Sequence, residues 1–151
     1  MNFVRLPKLK IFGNIEVHIM NNVFLIIGGN LGDRKQNLSH ALYLIEQSAG
    51  YIKKLSSIYE TEPWGVQGQP DYYNQVVELL TELNADTLMQ ALLSIEKQMG
   101  RQRIAKNDAR TMDIDILFFN DEIYNSKLIS IPHPRLHQRR FVLAPLAEIA
   151  P

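Results

Sequence analysis

The hydrophobic patterning of this chain predicts an α+β fold: a ferredoxin-like β-α-β-β-α-β core, an antiparallel sheet with helices packed on it, and short C-terminal additions. Two amphipathic helical stretches carry that expectation, each preceded by an extended run and closed by a glycine. In addition, no internal repeat, low-complexity tract or linker divides the 151 residues, which suffice for one substantial core.

Residues 23–27 read as a short buried strand. It leads into Gly28-Gly29-Asn30-Leu31-Gly32, a turn rich in residues that tolerate positive φ. Asp33 is a good N-cap, and Leu38, Ala41, Leu42 and Ile45 follow at helical spacing until Gly50 stops the helix. Residues 51–61 alternate as a strand, and 62–70 (EPWGVQGQP) form a long loop holding the only tryptophan. A strand over 73–83 comes next. Asn84 or Asp86 caps a second helix with an apolar stripe of Leu88, Leu92, Ile95 and Met99, ended by Gly100. A basic loop then runs into the last core strand, Asn120-Asp121 signals a turn, and residues 141–149 suggest a final helix. Residues 1–21 are set apart as an N-terminal extension (an extra strand, an arm, or the product of an upstream start), and 22–151 as a single domain.

Composition narrows the function. Sixteen Lys and Arg balance 16 Asp and Glu, so no global field draws the chain to nucleic acid or to an anionic membrane. The absence of cysteine excludes disulfides, thiolate metal sites and cysteine nucleophiles, and suits a cytoplasmic protein. No apolar run is long enough to span a bilayer, and the N-terminus lacks the pattern of a secretory signal.

Chemistry concentrates in GRQRIAKNDARTMDIDILFF, residues 100–119. A loop carrying Arg101, Arg103, Lys106 and Arg110 precedes a strand with Asp113 and Asp115 at i and i+2. Such a pair shares one face about 7 Å apart, while Met112, Ile114 and Ile116 point into a core. Two acids beside arginines can hold Mg²⁺ and a polyphosphate. The competing reading is the solvated face of an edge strand. Acids are poor strand formers, however, and their presence in so apolar a run favours a site.

Upstream, Trp64, Tyr72 and Tyr73 flank a loop that ends on Asn74. These aromatics either anchor the loop on the core or line a pocket for a planar heterocycle, whose edge an amide can read. The Gly28–Gly32 spacing fits neither a dinucleotide fingerprint nor a Walker loop, although bare backbone there admits a flat ligand. Glu96 is either a surface acid or one that turns toward the acidic strand. His133 is either a structural loop residue or, beside Arg139 and Arg140, a phosphate ligand. No serine sits in a nucleophile elbow.

Together GGNLGDR at 28–34, SSIYETEPWG at 56–65, QPDYYN at 69–74, GRQR at 100–103, RTMDIDILFF at 110–119 and IPHPRLHQRRFVLAPL at 131–146 resemble the 6-hydroxymethyl-7,8-dihydropterin pyrophosphokinase family. The resemblance runs from about residue 23 to 151. It implies transfer of pyrophosphate from ATP to the pterin hydroxymethyl group in folate biosynthesis, with release of AMP. It also implies that Asp113 and Asp115 hold two Mg²⁺ ions and that Arg101 and Arg110 stabilise the phosphates. Gly28, Thr61, Trp64, Tyr72, Asn74 and Phe141 match pterin-side positions. Glu96, Arg103, Arg110, Ile116, Ser130, His133 and Arg139 match the ATP side.

This chain departs from the family pattern in three respects. Its 101–110 loop is one residue shorter and lacks a frequent tryptophan, Leu128 replaces a basic residue (with Lys127 beside it), and the chain ends at Pro151 where several relatives continue. The resulting expectation is a cytoplasmic monomer that binds ATP and pterin and neither nucleic acid nor membrane. The alternatives are a non-catalytic ferredoxin-like module for nucleotide or RNA and a two-metal phosphohydrolase.

Overall fold

The computed structural model describes residues 19–63, 67–100 and 109–150. Residues 1–18 of the expected extension, together with Trp64, Arg101 and Arg103, lie outside the described residues.

Among the described residues, seven strands and three helices follow one another as β1 (Asn21–Gly29), α1 (Arg34–Ser48), β2 (Tyr51–Leu55), β3 (Tyr59–Thr61), β4 (Tyr72–Thr81), α2 (Ala85–Gln98), β5 (Asp113–Phe119), β6 (Tyr124–Asn125), β7 (Ser130–Ile131) and α3 (Arg140–Ile149). The main sheet is wholly antiparallel in the order β2-β4-β1-β5, and β3 also pairs with β4. With β2 and β3 taken as one interrupted strand, this is the ferredoxin-like arrangement. The interruption has a local cause. From Leu55↔Val77 to Tyr59↔Asn74 the outer strand advances four residues while β4 advances three, so one residue is extra. Ser56 fills the kink: its N–H donates to the Val76 carbonyl at 2.9 Å and its hydroxyl accepts from the Val76 N–H at 2.9 Å.

Helices α1 and α2 cover one face of the sheet. There Leu38, Ala41 and Ile45 of α1 and Leu88, Leu92 and Ile95 of α2 bury against Val23, Leu25, Ile27, Val77, Leu79 and Ile114. The opposite face is only partly covered, by α3, whose Val142, Leu146 and Ile149 pack on Ile26, Val76 and Leu117. Sequence periodicity placed this last helix but not its side of the sheet. Among the described residues, the rest of that face carries the candidate site residues Asn74, Asp113 and Asp115.

Caps and glycines sharpen several expectations. The Asp33 carboxylate accepts from the Gln36 N–H, as an N-cap should. Asn84 caps α2 by accepting from the Thr87 N–H at 2.8 Å. Asp86 has a different task, accepting the Tyr124 and Ser126 hydroxyls at 2.7 Å each and so tying the β6–β7 hairpin to α2. Gly100 does end α2 at φ +85. Gly50 is needed for space instead, since a Cβ there would overlap the Leu80 carbonyl. Gly28 and Gly29 likewise belong to β1 and not to a turn, and within that glycine cluster positive φ occurs at Gly32 (φ 68).

A clasp joins α3 to the kink between β2 and β3. The Glu148 carboxylate accepts the Ser57 N–H and hydroxyl at 2.9 Å and the Tyr59 hydroxyl at 2.7 Å. The Tyr59 bond above all, then the two from Ser57, holds the Glu148 carboxyl below its usual range. A carboxylate whose pKa falls on folding stabilises above its unfolded value and loses that contribution as pH drops through the folded one. Glu148→Gln should therefore lower Tm at neutral pH, and the gap from the parent should close on acidification below the ordinary carboxylate range, as followed by thermal melts. A gap that is constant with pH would show that charge is irrelevant to the clasp.

Candidate active site

The site face is built from cross-strand rows. Gly28 of β1 lies opposite Asn74 of β4 on one side and Asp113 of β5 on the other. Directly opposed residues point to the same face, so this row reads Asn74–Gly28–Asp113. The next row reads Val76–Ile26–Asp115. Asp113 and Asp115 thus share the site face, with side chains 27% and 31% exposed, while Met112, Ile114 and Ile116 turn into the core under α1 and α2.

Gly28 leaves room in its row. A Cβ there would overlap Asn74 Oδ1 and lie 2.9 Å from the Tyr73 carbonyl oxygen, so the amide lies across bare backbone. Asn74 is 6% exposed, and its Nδ2 donates to Thr61 Oγ1 at 2.9 Å. Tyr72 has the strand parity of Asn74 and faces the same way. Phe141 opens α3 from the other side and packs at the edge of the small core formed by Ile26, Val76 and Leu117. The guanidinium of Arg139 lies 5.5 Å from its ring centroid. Five of the six pterin-side positions therefore converge on one face, and the sixth, Trp64, is not described.

On the acidic side, Arg110 Nη1 donates to Asp113 Oδ2 at 3.0 Å. His133 Nε2 stands 3.8 Å from Asp115 Oδ2, too far for a hydrogen bond. The His133 N–H donates to the Leu117 carbonyl at 3.1 Å, which fixes the segment after the cis Ile131–Pro132 bond beside β5. Burial first, and then the charge of Arg139, pull the imidazole below its ordinary pKa against the opposing pull of Asp113. Nδ1 accepts the Arg135 N–H at 3.2 Å, so the neutral ring carries its proton on Nε2, toward Asp115. The lowered pKa weakens any ionic character of the His133–Asp115 pair.

Three ATP-side expectations look different in three dimensions. Glu96 is the acid that turns toward the acidic strand, not a surface acid. It is 2% exposed, and its Oε1 accepts the Ile114 N–H at 2.8 Å on the outer edge of β5. The Ile116 side chain is 2% exposed in the helix-side core, so any ligand contact must come through its backbone, which shares the parity of Ile114 and the same outer edge. Ser130 is exposed on β7 opposite Asn125.

Sequence reasoning missed two residues that hold the site together. Asn30 is 1% exposed and bonds to both flanking loops. Arg34 donates to the Asp71 carbonyl at 2.8 Å and stacks 3.9 Å above the Tyr73 ring. Both lie in GGNLGDR, where the glycines drew the reading toward a turn; a polar residue inside such a cluster was the available signal.

Among the described residues, no helix is long and apolar enough to cross a membrane. Comparison with known proteins then bears on the identity of the site. The pyrophosphokinase of Bacillus subtilis that acts on 2-amino-4-hydroxy-6-hydroxymethyldihydropteridine is 44% identical over 132 residues, covering 86% of this chain and 79% of that protein. Its counterpart in Haemophilus influenzae is 39% identical over 132 residues, covering 87% and 82%. A crystal structure of Plasmodium falciparum HPPK-DHPS superposes with a TM-score of 0.71 at 21% identity, covering 91% of this chain and 41% of that longer one, a likeness of fold. Neither the nucleotide- or RNA-binding module nor the phosphohydrolase finds support in these comparisons. The profile of the 7,8-dihydro-6-hydroxymethylpterin-pyrophosphokinase (HPPK) family matches residues 24–151, and the chain belongs to that family.

Proposed function

We propose that the Asn74–Gly28–Asp113 row is the axis of the active site, with pterin held at the Asn74 end and the ATP phosphates at the Asp113 end. The reaction is transfer of pyrophosphate from ATP to the hydroxymethyl group of 6-hydroxymethyl-7,8-dihydropterin in folate synthesis, with release of AMP. The observation that carries the residue assignment is the glycine in the middle of the row. Two strand spacings separate Asn74 from Asp113, about 10 Å, and the only residue between them has no side chain. A flat heterocycle can therefore lie against the sheet with its edge on the amide and its substituent directed at the carboxylates.

The donor set suits Mg²⁺, a hard cation commonly held through one or two carboxylates, with phosphate oxygens and water completing the shell. Asp113 and Asp115 would hold two such ions, which when bound neutralise and orient the triphosphate. Tyr72 and Phe141 sandwich the ring, and Thr61 orients the Asn74 amide by accepting from it. The hydroxymethyl oxygen attacks the β-phosphorus, the α–β bridge breaks toward AMP, and the hydroxyl proton passes to a phosphate oxygen. Arg110, already beside Asp113, lies where charge builds on the phosphates, with Arg101 and Arg103 assigned to the same side by their family positions. The Ile116 backbone, His133, Arg139, Ser130 and the strand-bracing Glu96 complete the nucleotide side. We assign the activity to a cytoplasmic monomer, in keeping with the neutral, cysteine-free composition.

Asp113→Ala or Asp115→Ala should cut pterin-dependent AMP formation by about a thousandfold or more in folded protein. Near-parental turnover in either variant would remove the metal assignment. Arg110→Ala should lower kcat by about a hundred- to a thousandfold while pterin affinity stays nearly unchanged; a change in KM alone would contradict its role. Gly28→Ala, by displacing the Asn74 amide, should weaken pterin binding by about ten- to a hundredfold in a fluorescence titration. Unchanged affinity would mean that the ring does not lie on this row.

A further inference from the structure

Asn30 follows β1 directly and touches neither proposed substrate position, yet it is almost completely buried and bonded on several sides. Its N–H donates to the Arg110 carbonyl at 3.0 Å, and its Oδ1 accepts the Arg110 N–H at 2.9 Å. The backbone of Arg110 is thus gripped at both polar groups by one residue. On its other side, Nδ2 donates to the Pro70 carbonyl at 3.1 Å and to Gln69 Oε1 at 3.3 Å. One arm therefore fixes the residue whose side chain meets Asp113. The other fixes the last residues of the aromatic loop, just ahead of Tyr72 and Asn74.

An amide is the side chain suited to this position. It offers an acceptor and two donors from one rigid plane, and the two loops present complementary groups, an N–H on one side and oxygens on the other. Buried amides of this kind allow little independent movement, because each broken bond leaves a polar group unpaired away from water. An ordering of Arg110 by nucleotide phosphates is then also an ordering of Gln69 and Pro70, and the reverse holds. Energetic coupling between two sites is reciprocal, and an element whose equilibrium both sites bias is its physical carrier.

We propose that Asn30 is a positioning residue that couples the two substrate sites, so that nucleotide bound at the Arg110 end tightens pterin binding at the Asn74 end through the Asn30 amide. The inference rests on the pterin and ATP assignments above. Substitution chemistry separates its two arms. Asn30→Asp keeps an oxygen for the Arg110 N–H but sets a second oxygen against the Pro70 carbonyl and Gln69 Oε1, which breaks only the pterin-side arm. Asn30→Ala removes both side-chain arms. Arg34→Ala serves as a control, because Arg34 braces Asp71 and Tyr73 of the pterin side without touching Arg110.

The test is pterin affinity of the full chain, measured with and without Mg²⁺ and the α,β-methylene analogue of ATP, whose bridge resists the transfer. The coupling factor is the ratio of the two dissociation constants. The parent should show a factor of about 5 to 150, the usual range for coupled sites. Asn30→Asp should bring it near 1, whereas Arg34→Ala should weaken pterin binding equally in both conditions and leave the factor intact. If Asn30→Ala fails to fold, Gln69→Leu removes part of the same arm and should give an intermediate factor. A parental factor in folded Asn30→Asp, or equal loss of affinity with and without the analogue, would overturn the proposal, as would a parent factor of 1. Failure of the parent to bind pterin under either condition would instead overturn the functional reading on which it rests.

Discussion

A one-residue slip of β1 against either neighbour would turn a whole set of side chains to the wrong face, because strand side chains alternate. Slippage against β4 would set Gln75 and Val77 where Asn74 and Val76 now stand, and slippage against β5 would exchange Asp113 and Asp115 for Ile114 and Ile116. The register holds because β1 is flanked on both sides over nearly its full length, from Asn21↔Thr81 to Gly29↔Tyr73 and from Val23↔Phe119 to Gly28↔Asp113. The helix-side core supplies the penalty for error: Val23, Leu25, Ile27, Val77, Leu79 and Ile114 are each 0% exposed. Exposing even one such side chain costs about 1.5–3 kcal/mol, and a slip would expose several together. The chemistry on one face is thus aligned by the packing on the other.

Among the described residues, the sheet ends at β5, and a strand edge is both a liability and a resource. Glu96 reaches the edge from α2 and takes the Ile114 N–H, while the chain after β7 returns to supply the His133 N–H to the Leu117 carbonyl. These two bonds bracket Ile116. They hold the outer side of the strand that carries both acids. The opposite edge is defended differently, by Lys53 and Lys54 on β2, with Lys53 Nζ 3.3 Å from Glu78 Oε1.

Much of this architecture is legible from residue pattern alone. The two helices, the order of strands and the common face of Asp113 and Asp115 follow from periods of 3.6 and 2. What escaped was set by contacts distant in sequence. The kink at Ser56 depends on Val76, the task of Asp86 depends on Tyr124 and Ser126, and the burial of Glu96 depends on Ile114. The glycine cluster misled for a related reason. Glycine serves turns by its freedom of φ and serves sheets by its lack of a side chain, and a single sequence does not say which. Gly28 and Gly29 are of the second kind; they admit Asn74 and Thr111 respectively, and Asn30 follows them into a fixed position. The family resemblance pointed to candidate pterin and nucleotide positions, but not to the residues that brace them, since Asn30 and Arg34 bond to other parts of the protein.

Arg110 and Asp113 form a contact that the proposed reaction must exchange. Their side chains are 15% and 27% exposed, so the pair is neither free in solvent nor sealed away. Pairs of this intermediate kind contribute modestly to stability, because the Coulomb gain is offset by desolvation and by the ordering of long side chains. A modest pair is suited to a site that trades partners. On the proposed reading, Asp113 would hold a cation that neutralises the triphosphate, and the Arg110 guanidinium turns from the carboxylate to the phosphates. Neither charge is left uncompensated during the exchange, and the arginine is already near the position where negative charge grows. Asn30 grips the backbone of Arg110 at its N–H and at its carbonyl, so a change in what the guanidinium binds bears on the Asn30 amide as well. On the proposed reading, the guanidinium is repositioned while the strand that bears the acids keeps its register against β1.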